Sequence, residues 1–187
     1  MGMAYCRWRI GTVGGVGNIY IYCVAVSAKL VWFMTVLTRS ALLMVPVNIA
    51  YGVVNDILSY PEFLPGCNNV ELLAGQDASS AEVVRARVTA GAKGMTYSFV
   101  TSNTCVENER IAMTLDEGPF EVLDGNWFFK ALSDEGCRID LSLEFVAQGV
   151  LARLLSPMAG SVADRMVEAF TQRIQDVGDA YAHQPQG

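Results

Sequence analysis

The second half of the chain alternates between polar and apolar residues with a period of two. The clearest run has Ile139, Leu141, Leu143 and Phe145 on one side and Arg138, Asp140, Ser142 and Glu144 on the other. Successive side chains of a β-strand point to opposite faces of the sheet. This run therefore predicts a strand with one buried face and one solvated face.

Further stretches show the same alternation, within residues 84–89, 95–100, 111–115 and 127–129. Short polar and glycine-containing segments separate them, at residues 75–77, 91–94, 107–109 and 133–136. Such segments favour tight turns, so the pattern predicts an antiparallel meander with one wet face. The apolar stretch Val36–Met44 is predicted as the first strand of the same sheet.

Two stretches carry apolar residues at helical spacing instead. After Pro46, the residues Ile49, Val53, Val54 and Ile57 predict a short helix. From Gly149 to about Tyr181 one continuous stripe predicts a long closing helix, which Pro157 should kink or restart near its first turns. The stripe consists of Leu151, Leu155, Met158, Val162, Met166, Phe170, Ile174, Val177 and Tyr181. A sheet and helices sharing one core predict an α+β domain.

The front segment, residues 1–33, differs from the rest of the chain in composition. It contains Arg7, Arg9 and Lys29 but no acid, and residues 10–28 are uncharged. Three interpretations stay open: a membrane segment, a signal peptide ending near Val26-Ser27-Ala28, or an upstream extension from a misplaced start codon before Met34. A length of 187 residues suits one domain, which we expect to span residues 34–181, followed by a disordered tail at 182–187.

The body of the chain is acidic. All 19 Asp and Glu but only 10 of the 13 Lys and Arg follow residue 33. This balance disfavours diffuse attraction to nucleic acid and anionic lipid, and we expect no DNA partner. Five cysteines without a Cys-x-x-Cys pair, and one histidine in the tail at position 183, argue against a disulfide framework and a zinc site. We expect no metal.

A rigid bend with large apolar residues stands between the first helix and the meander. It reads Tyr60-Pro61-Glu62-Phe63-Leu64-Pro65 and is followed later by Gly118-Pro119-Phe120 and by Gly125, Trp127 and Phe129. This combination resembles the coenzyme Q-binding START-like family, which includes the bacterial RatA-type ribosome-association toxins. The resemblance covers most of residues 34–180. It implies a helix-grip fold, in which a curved antiparallel sheet wraps around a long C-terminal helix.

The resemblance also implies an apolar ligand pocket between the sheet and the closing helix. Its candidate lining residues are Tyr60, Phe63, Leu64, Phe99, Met113, Phe120, Trp127, Phe129, Phe145, Met158, Met166 and Phe170. Burying one five-carbon isoprenoid unit would contribute roughly 3–4 kcal/mol, so a polyprenyl quinone such as ubiquinone is a suitable guest. The alternative is that these aromatic residues and methionines are simply core.

The sequence gives little support for catalysis. No histidine lies in the body, which removes the usual base for a serine or cysteine nucleophile. Asp116 and Glu117 precede Gly118-Pro119 and are predicted to lie in a solvated turn. We expect a non-catalytic protein that uses no cofactor and binds ubiquinone as a ligand.

Two functions follow from the resemblance. The first is a lipid carrier or chaperone for ubiquinone that supports respiratory electron transfer, in the cytoplasm with peripheral contact at the inner membrane. The second is a RatA-type toxin that binds the large ribosomal subunit, blocks subunit association and inhibits translation. For the second function, Arg85, Arg87 and Lys93, with Arg110 nearby, are a candidate cationic patch.

Overall fold

The computed structural model of the protein describes residues 5–9, 17–26, 30–73, 83–92, 94–147 and 159–183. Its elements follow the order β1 (Tyr5–Arg9), β2 (Gly17–Val26), β3 (Leu30–Leu43), α1 (Val47–Asn55), a 3₁₀ turn (Ile57–Ser59), α2 (Tyr60–Phe63), β4 (Cys67–Leu73), β5 (Val83–Ala92), β6 (Met95–Val106), β7 (Arg110–Glu117), β8 (Phe120–Ser133), β9 (Gly136–Ala147) and α3 (Ala159–Ala182). Within these residues no helix is long and apolar enough to cross a membrane.

The nine described strands form one sheet in the order β1-β2-β3-β9-β8-β7-β6-β5-β4, and each pairs antiparallel with its neighbour. Consecutive strands from β4 to β9 are adjacent, as expected for a meander joined by short turns. β3 pairs with β9, and this is the only pair among the described strands whose members are not consecutive in the chain. The predicted α+β helix-grip fold is confirmed, since α3 packs across one face of the curved sheet.

The front segment contributes backbone to this sheet. β2 pairs with β3 from Gly17 opposite Arg39 to Val26 opposite Leu30, and β1 pairs with β2. β3 also begins at Leu30, so the domain boundary predicted at Met34 falls inside a strand. The predicted signal-peptide end at residues 26–28 lies largely outside the described residues.

The prediction of the first helix needs correction at its C-terminal end. α1 stops at Asn55, where the Asp56 N–H donates to the Gly52 carbonyl at 3.0 Å, and Ile57 belongs to the separate 3₁₀ turn. The proline bend contains one short helix, α2, with Pro61 in its first turn. The described part of the closing helix begins at Ala159, and residues 149–158, including Pro157, lie outside the described residues.

Candidate functional site

The concave face of the sheet carries two apolar clusters, one after the other along the strands. The closed cluster lies under the helices, and its members include Tyr60, Phe63, Leu64, Trp127, Phe129 and Phe170. The open cluster lies toward the start of α3, and it consists of Leu37, Leu123, Phe145 and Ala163 with the half-buried Phe99, Met113, Leu115, Phe120 and Leu143. Both clusters use the inward-facing positions that the alternation predicted.

In the closed cluster Phe170 of α3 is surrounded by aromatic rings. Its ring centroid lies 4.9 Å from that of Trp127, 5.2 Å from Tyr60 and 5.3 Å from Phe63, all in edge-to-face geometry. Only 1% of Phe170 is exposed. Edge-to-face packing at these distances is the favoured arrangement of buried aromatic rings, so the side chains fill this part of the interior themselves.

The Tyr60 hydroxyl is part of this packing. It donates a hydrogen bond of 2.6 Å to the Val54 carbonyl at the end of α1. Burial raises the pKa of the Tyr60 phenol far above its usual value, and the neighbouring Cys67 and Asp56 raise it further. The hydroxyl therefore stays protonated at physiological pH and anchors the proline bend to α1.

Glu62 of the bend faces outward. Its carboxylate forms an ion pair of 3.1 Å with Arg173 of α3, and the Arg173 guanidinium lies 5.7 Å from the Phe63 ring centroid. Phe63 and Arg173 also line a surface groove of about 210 Å³, together with Ile49 and Val53 of α1. Glu62 therefore ties the bend to the closing helix at the molecular surface.

The open cluster is less tightly filled. The Phe120 ring lies 5.8 Å from Phe99 and 6.5 Å from Phe145, measured between centroids. Gly118 allows the chain to pass close to Phe99, since a Cβ at residue 118 would lie 2.7 Å from the Phe99 Cβ. Phe99 and Phe120 remain half-buried, so they present ring surface toward the opening of the sheet.

The strand register aligns one row of inward positions across this cluster. The row consists of Asn103, Met113, Gly125, Leu143 and Leu37, each opposite the next on the neighbouring strand. A Cβ at Gly125 would lie 2.8 Å from the Met113 Cε, so the methionine side chain occupies the space above this glycine. Because a methionine side chain is flexible, the surface formed by this row is adaptable in shape.

Asn103 is the polar member of that row. It is 9% exposed, and its side-chain oxygen is buried without a hydrogen-bond partner among the residues that the structure describes. Leaving a buried acceptor unpaired costs about 1–3 kcal/mol. Such a cost on an otherwise apolar surface is typical of a position that binds a polar group of a guest.

The predicted lining residues thus divide between the clusters. Tyr60, Phe63, Leu64, Trp127, Phe129 and Phe170 belong to the closed cluster. Phe99, Met113, Phe120 and Phe145 belong to the open cluster. Met166 is half-buried on α3 and belongs to neither, and Met158 lies outside the described residues.

Two polar features of the concave face were missed from the sequence. One is Asn103, and the other is Arg39, whose Nε donates to Asp164 of α3 at 2.6 Å while its side chain is only 10% exposed. Both residues occupy inward positions on largely apolar strand faces, which also carry the buried Thr35 on β3 and Thr101 on β6. A polar residue that interrupts the apolar side of an alternating strand was the signal that could have revealed them.

The convex face corrects the predicted turn at Asp116 and Glu117, which are the last two residues of β7. The Asp116 carboxylate accepts hydrogen bonds of 2.7 Å from both Ser102 and Arg85. The hydrogen bond from Ser102 lowers the pKa of Asp116 most, and the one from Arg85 lowers it further. The positive charge of Arg85 in the predicted cationic patch is therefore balanced by the Asp116 carboxylate. Lys93 lies outside the described residues.

The structure also bears on metal binding. Among the described residues no three His, Cys, Asp or Glu side chains lie close enough together to hold a metal ion.

Burial raises the pKa of the Cys67 and Cys137 thiols, which keeps both sulfurs protonated and weakly nucleophilic at neutral pH.

Comparisons with known proteins agree with this architecture. Residues 43–171 match the family described as polyketide cyclase/dehydrase and lipid transport. The chain is 38% identical to the ribosome association toxin RatA of Pseudomonas aeruginosa, over 76% of this chain and 97% of that one. It is 36% identical to RatA of Escherichia coli K12, over 79% of this chain and 91% of that one.

Solved structures with little sequence identity share the fold. A START superfamily protein from Mycobacterium smegmatis superposes with a TM-score of 0.64 at 18% identity, covering 76% of this chain and 98% of that one. An aromatase/cyclase from Streptomyces gives 0.63 at 17% identity, covering 82% and 99%. The helix-grip fold, the family match and the full-length relatives together show that this chain belongs to the START-like polyketide cyclase/dehydrase and lipid transport family.

Proposed function

We propose that this protein is a ribosome association toxin that binds the large ribosomal subunit, blocks subunit joining and so inhibits translation. The observation that carries the proposal is the match to 97% of the length of RatA from Pseudomonas aeruginosa at 38% identity. Because the alignment covers nearly the whole length of that relative, it includes surface residues as well as core residues. On this proposal the protein works in the cytoplasm.

Ribosome profiles test this function directly. The protein is produced from an inducible promoter in Escherichia coli, and the lysate is separated on a sucrose gradient. We expect free subunits to accumulate at the expense of joined ribosomes, and the protein to sediment with the large subunit. An unchanged ratio of free to joined subunits at equal expression would contradict the proposal.

The open cluster supports a second proposal, that the protein binds an apolar ligand with a polar head. Phe99, Phe120 and Met113 offer ring and thioether surface that is only half-buried. The unpaired oxygen of Asn103 adds one hydrogen-bond acceptor to the same surface. The proposal uses the concave face, so it is compatible with a ribosome contact elsewhere on the molecule.

We propose ubiquinone as this ligand, with the protein acting as its carrier. The isoprenoid tail matches the apolar cluster. The Asn103 amide can accept from a quinol hydroxyl through its oxygen or donate to a quinone carbonyl through its nitrogen. A ligand that resides in the membrane would bring the protein into peripheral contact with the inner membrane.

Lipid extraction followed by mass spectrometry tests the carrier proposal. We expect a quinone to copurify, and added ubiquinone to be taken up in a saturable manner. Replacing Phe120 by alanine should reduce this uptake. Tyr181→Ala is the matched control, because Tyr181 is 63% exposed near the C-terminal end of α3. No copurifying quinone and no saturable uptake would defeat the carrier proposal and leave the ribosome proposal standing.

A further inference from the structure

Large apolar side chains are exposed together at one end of the convex face. Leu42 is 72% exposed, Met44 86%, Leu132 55% and Phe128 45%. We call these four residues the end patch. Single exposed apolar residues are ordinary on protein surfaces, whereas several at one end of a sheet point to an interaction site.

The strand register places the end patch on adjacent strands. Leu42 of β3 lies opposite Arg138 of β9, and Arg138 lies opposite Lys130 of β8. Phe128 is two residues before Lys130 on the same face, and Leu132 is two residues after it. Met44 follows directly after the end of β3. Leu42 and Met44 therefore lie on one side of β9, and Phe128 and Leu132 lie on the other side, with Arg138 and Lys130 between them.

The exposure of these residues does not come from loose packing. Phe128 stands between Trp127 and Phe129, which are 9% and 7% exposed and belong to the closed cluster. Leu42 likewise precedes Leu43, which is 2% exposed. Alternation fixes the outward direction of Phe128 and Leu42 because the inward positions are held by the core. Leu132 lies at the register shift between Ala131 and Ser133, and Met44 lies just after β3.

A cation on β7 contacts Phe128 at one side of the end patch. The Arg110 guanidinium lies 5.4 Å from the Phe128 ring centroid, and it donates hydrogen bonds of 2.5 and 3.1 Å to the Asn126 side-chain oxygen. Aromatic rings and arginines contribute a large share of the binding energy in protein interfaces. Their arrangement here is formed before any partner arrives.

Acidic residues surround the end patch. Glu107 and Glu109 lie in the β6–β7 turn, and Asp134 and Glu135 lie in the β8–β9 turn, all of them exposed. Nearby Arg138 is already paired with Asp140 at 2.7 Å. Arg110 and Lys130 take part in no ion pair among the described residues. The four turn acids outnumber these two cations, so the rim is negative, as is the chain with its net charge of −6.

We propose that the end patch is the docking surface for a basic protein, with its exposed apolar side chains providing contact area and the acidic turns providing charge complementarity. The proposal rests on the ribosome association proposed above and identifies the partner there as a basic protein of the large subunit. A phosphate backbone is the less favourable partner, because the acidic rim would repel it. Complementary charge accelerates encounter and suppresses wrong partners.

Binding of the full chain to purified large subunits, measured by cosedimentation, tests the apolar side chains of the end patch. We expect Phe128→Ala and Leu132→Ser each to weaken binding by about tenfold or more. Both side chains are substantially exposed, so the variants should keep the circular dichroism spectrum of the parent. Thr96→Ala, an exposed outer position on β6, is the control and should bind as the parent does.

A charge reversal distinguishes a protein partner from RNA. Glu135→Lys should weaken binding about threefold if the partner surface is basic. Glu168→Lys on α3 changes the net charge equally and is the matched control, with no expected effect. Tighter binding by Glu135→Lys than by its control would assign the surface to RNA and overturn the proposal.

The possible outcomes separate this inference from the function on which it rests. If the parent protein binds large subunits and Phe128→Ala and Leu132→Ser bind equally well, the end patch is not the docking surface and ribosome association stands. If the parent protein itself fails to bind large subunits, ribosome association is wrong and the inference falls with it. Loss of binding in both patch variants together with weakening by Glu135→Lys supports it.

Discussion

The closed and open clusters are made from the same kinds of residue on the same sheet, yet they differ in how completely they are filled. In the closed cluster, Phe170 touches three aromatic rings and is 1% exposed. In the open cluster, Phe99 and Phe120 meet edge to face at 5.8 Å and remain half-buried. The difference lies in what covers each cluster.

α1, α2 and the middle of α3 cover the closed cluster, whereas Ala163 is the buried residue that the described part of α3 contributes to the open one. An alanine fills much less volume than a phenylalanine. Gly125 has no side chain and Met113 has a flexible one, so rigid side chains fill less of the space beneath the open cluster. Aromatic residues therefore do not by themselves make a pocket; the elements packed above them decide between core and site.

The largest effect should come from the closed cluster. Phe170→Ala removes the ring at its centre and should lower the free energy of unfolding by about 3–5 kcal/mol, because the surrounding rings cannot collapse into the cavity. Urea denaturation followed by circular dichroism measures this. A loss below about 1 kcal/mol would mean that the closed cluster is no better packed than the open one.

Phe120→Ala makes the same chemical change in the open cluster. Since Phe120 is half-buried, we expect a loss of only about 1–2 kcal/mol in the free energy of unfolding. The two variants are compared in one denaturation series. If Phe120→Ala were as destabilising as Phe170→Ala, the distinction between the clusters would be wrong.

Asn103→Leu should raise the free energy of unfolding, by about 1 kcal/mol in ligand-free protein, because it replaces an unpaired buried acceptor by an apolar side chain. Asn126→Leu is the matched control. The Asn126 oxygen already accepts from Arg110, so its loss should not stabilise the protein. Thermal unfolding of both variants gives the comparison, and a clear loss of stability in Asn103→Leu would indicate that its amide is satisfied.

The smallest effect is expected for Asp116, which lies on the convex side of β7, the strand that carries Leu115 of the open cluster. Asp116→Asn should cost less than about 1 kcal/mol at pH 7, as is typical of an ion pair near the surface. The folded-state pKa of Asp116 is lowered, so its contribution is present above the unfolded pKa of about 3.9 and disappears as the pH falls through the folded value. The difference between parent and variant should therefore vanish at low pH. A difference that is constant between pH 7 and pH 2 would rule out this carboxylate as its source.

The sequence by itself determined the strand pattern of β5 to β9 and the inward face of these strands, whereas β1 and β2 of the front segment were not predicted. Alternation identified β5 to β9 and their turns, because a period of two follows directly from the geometry of an extended chain. The spacing of Phe170 and Ile174 likewise predicted the buried stripe of α3, and both are at most 1% exposed. These are local rules, and they need no knowledge of the neighbouring elements.

The tertiary structure alone decided how the predicted lining residues divide and where the polar groups find partners. Trp127 and Phe145 are both aromatic residues at inward positions of neighbouring strands, but strand register and helix placement assign one to the closed cluster and the other to the open one. Asp116 reads as a turn residue until pairing of β6 with β7 and of β5 with β6 brings Ser102 and Arg85 to its carboxylate. Contacts between residues distant in the chain depend on register, which no local pattern specifies.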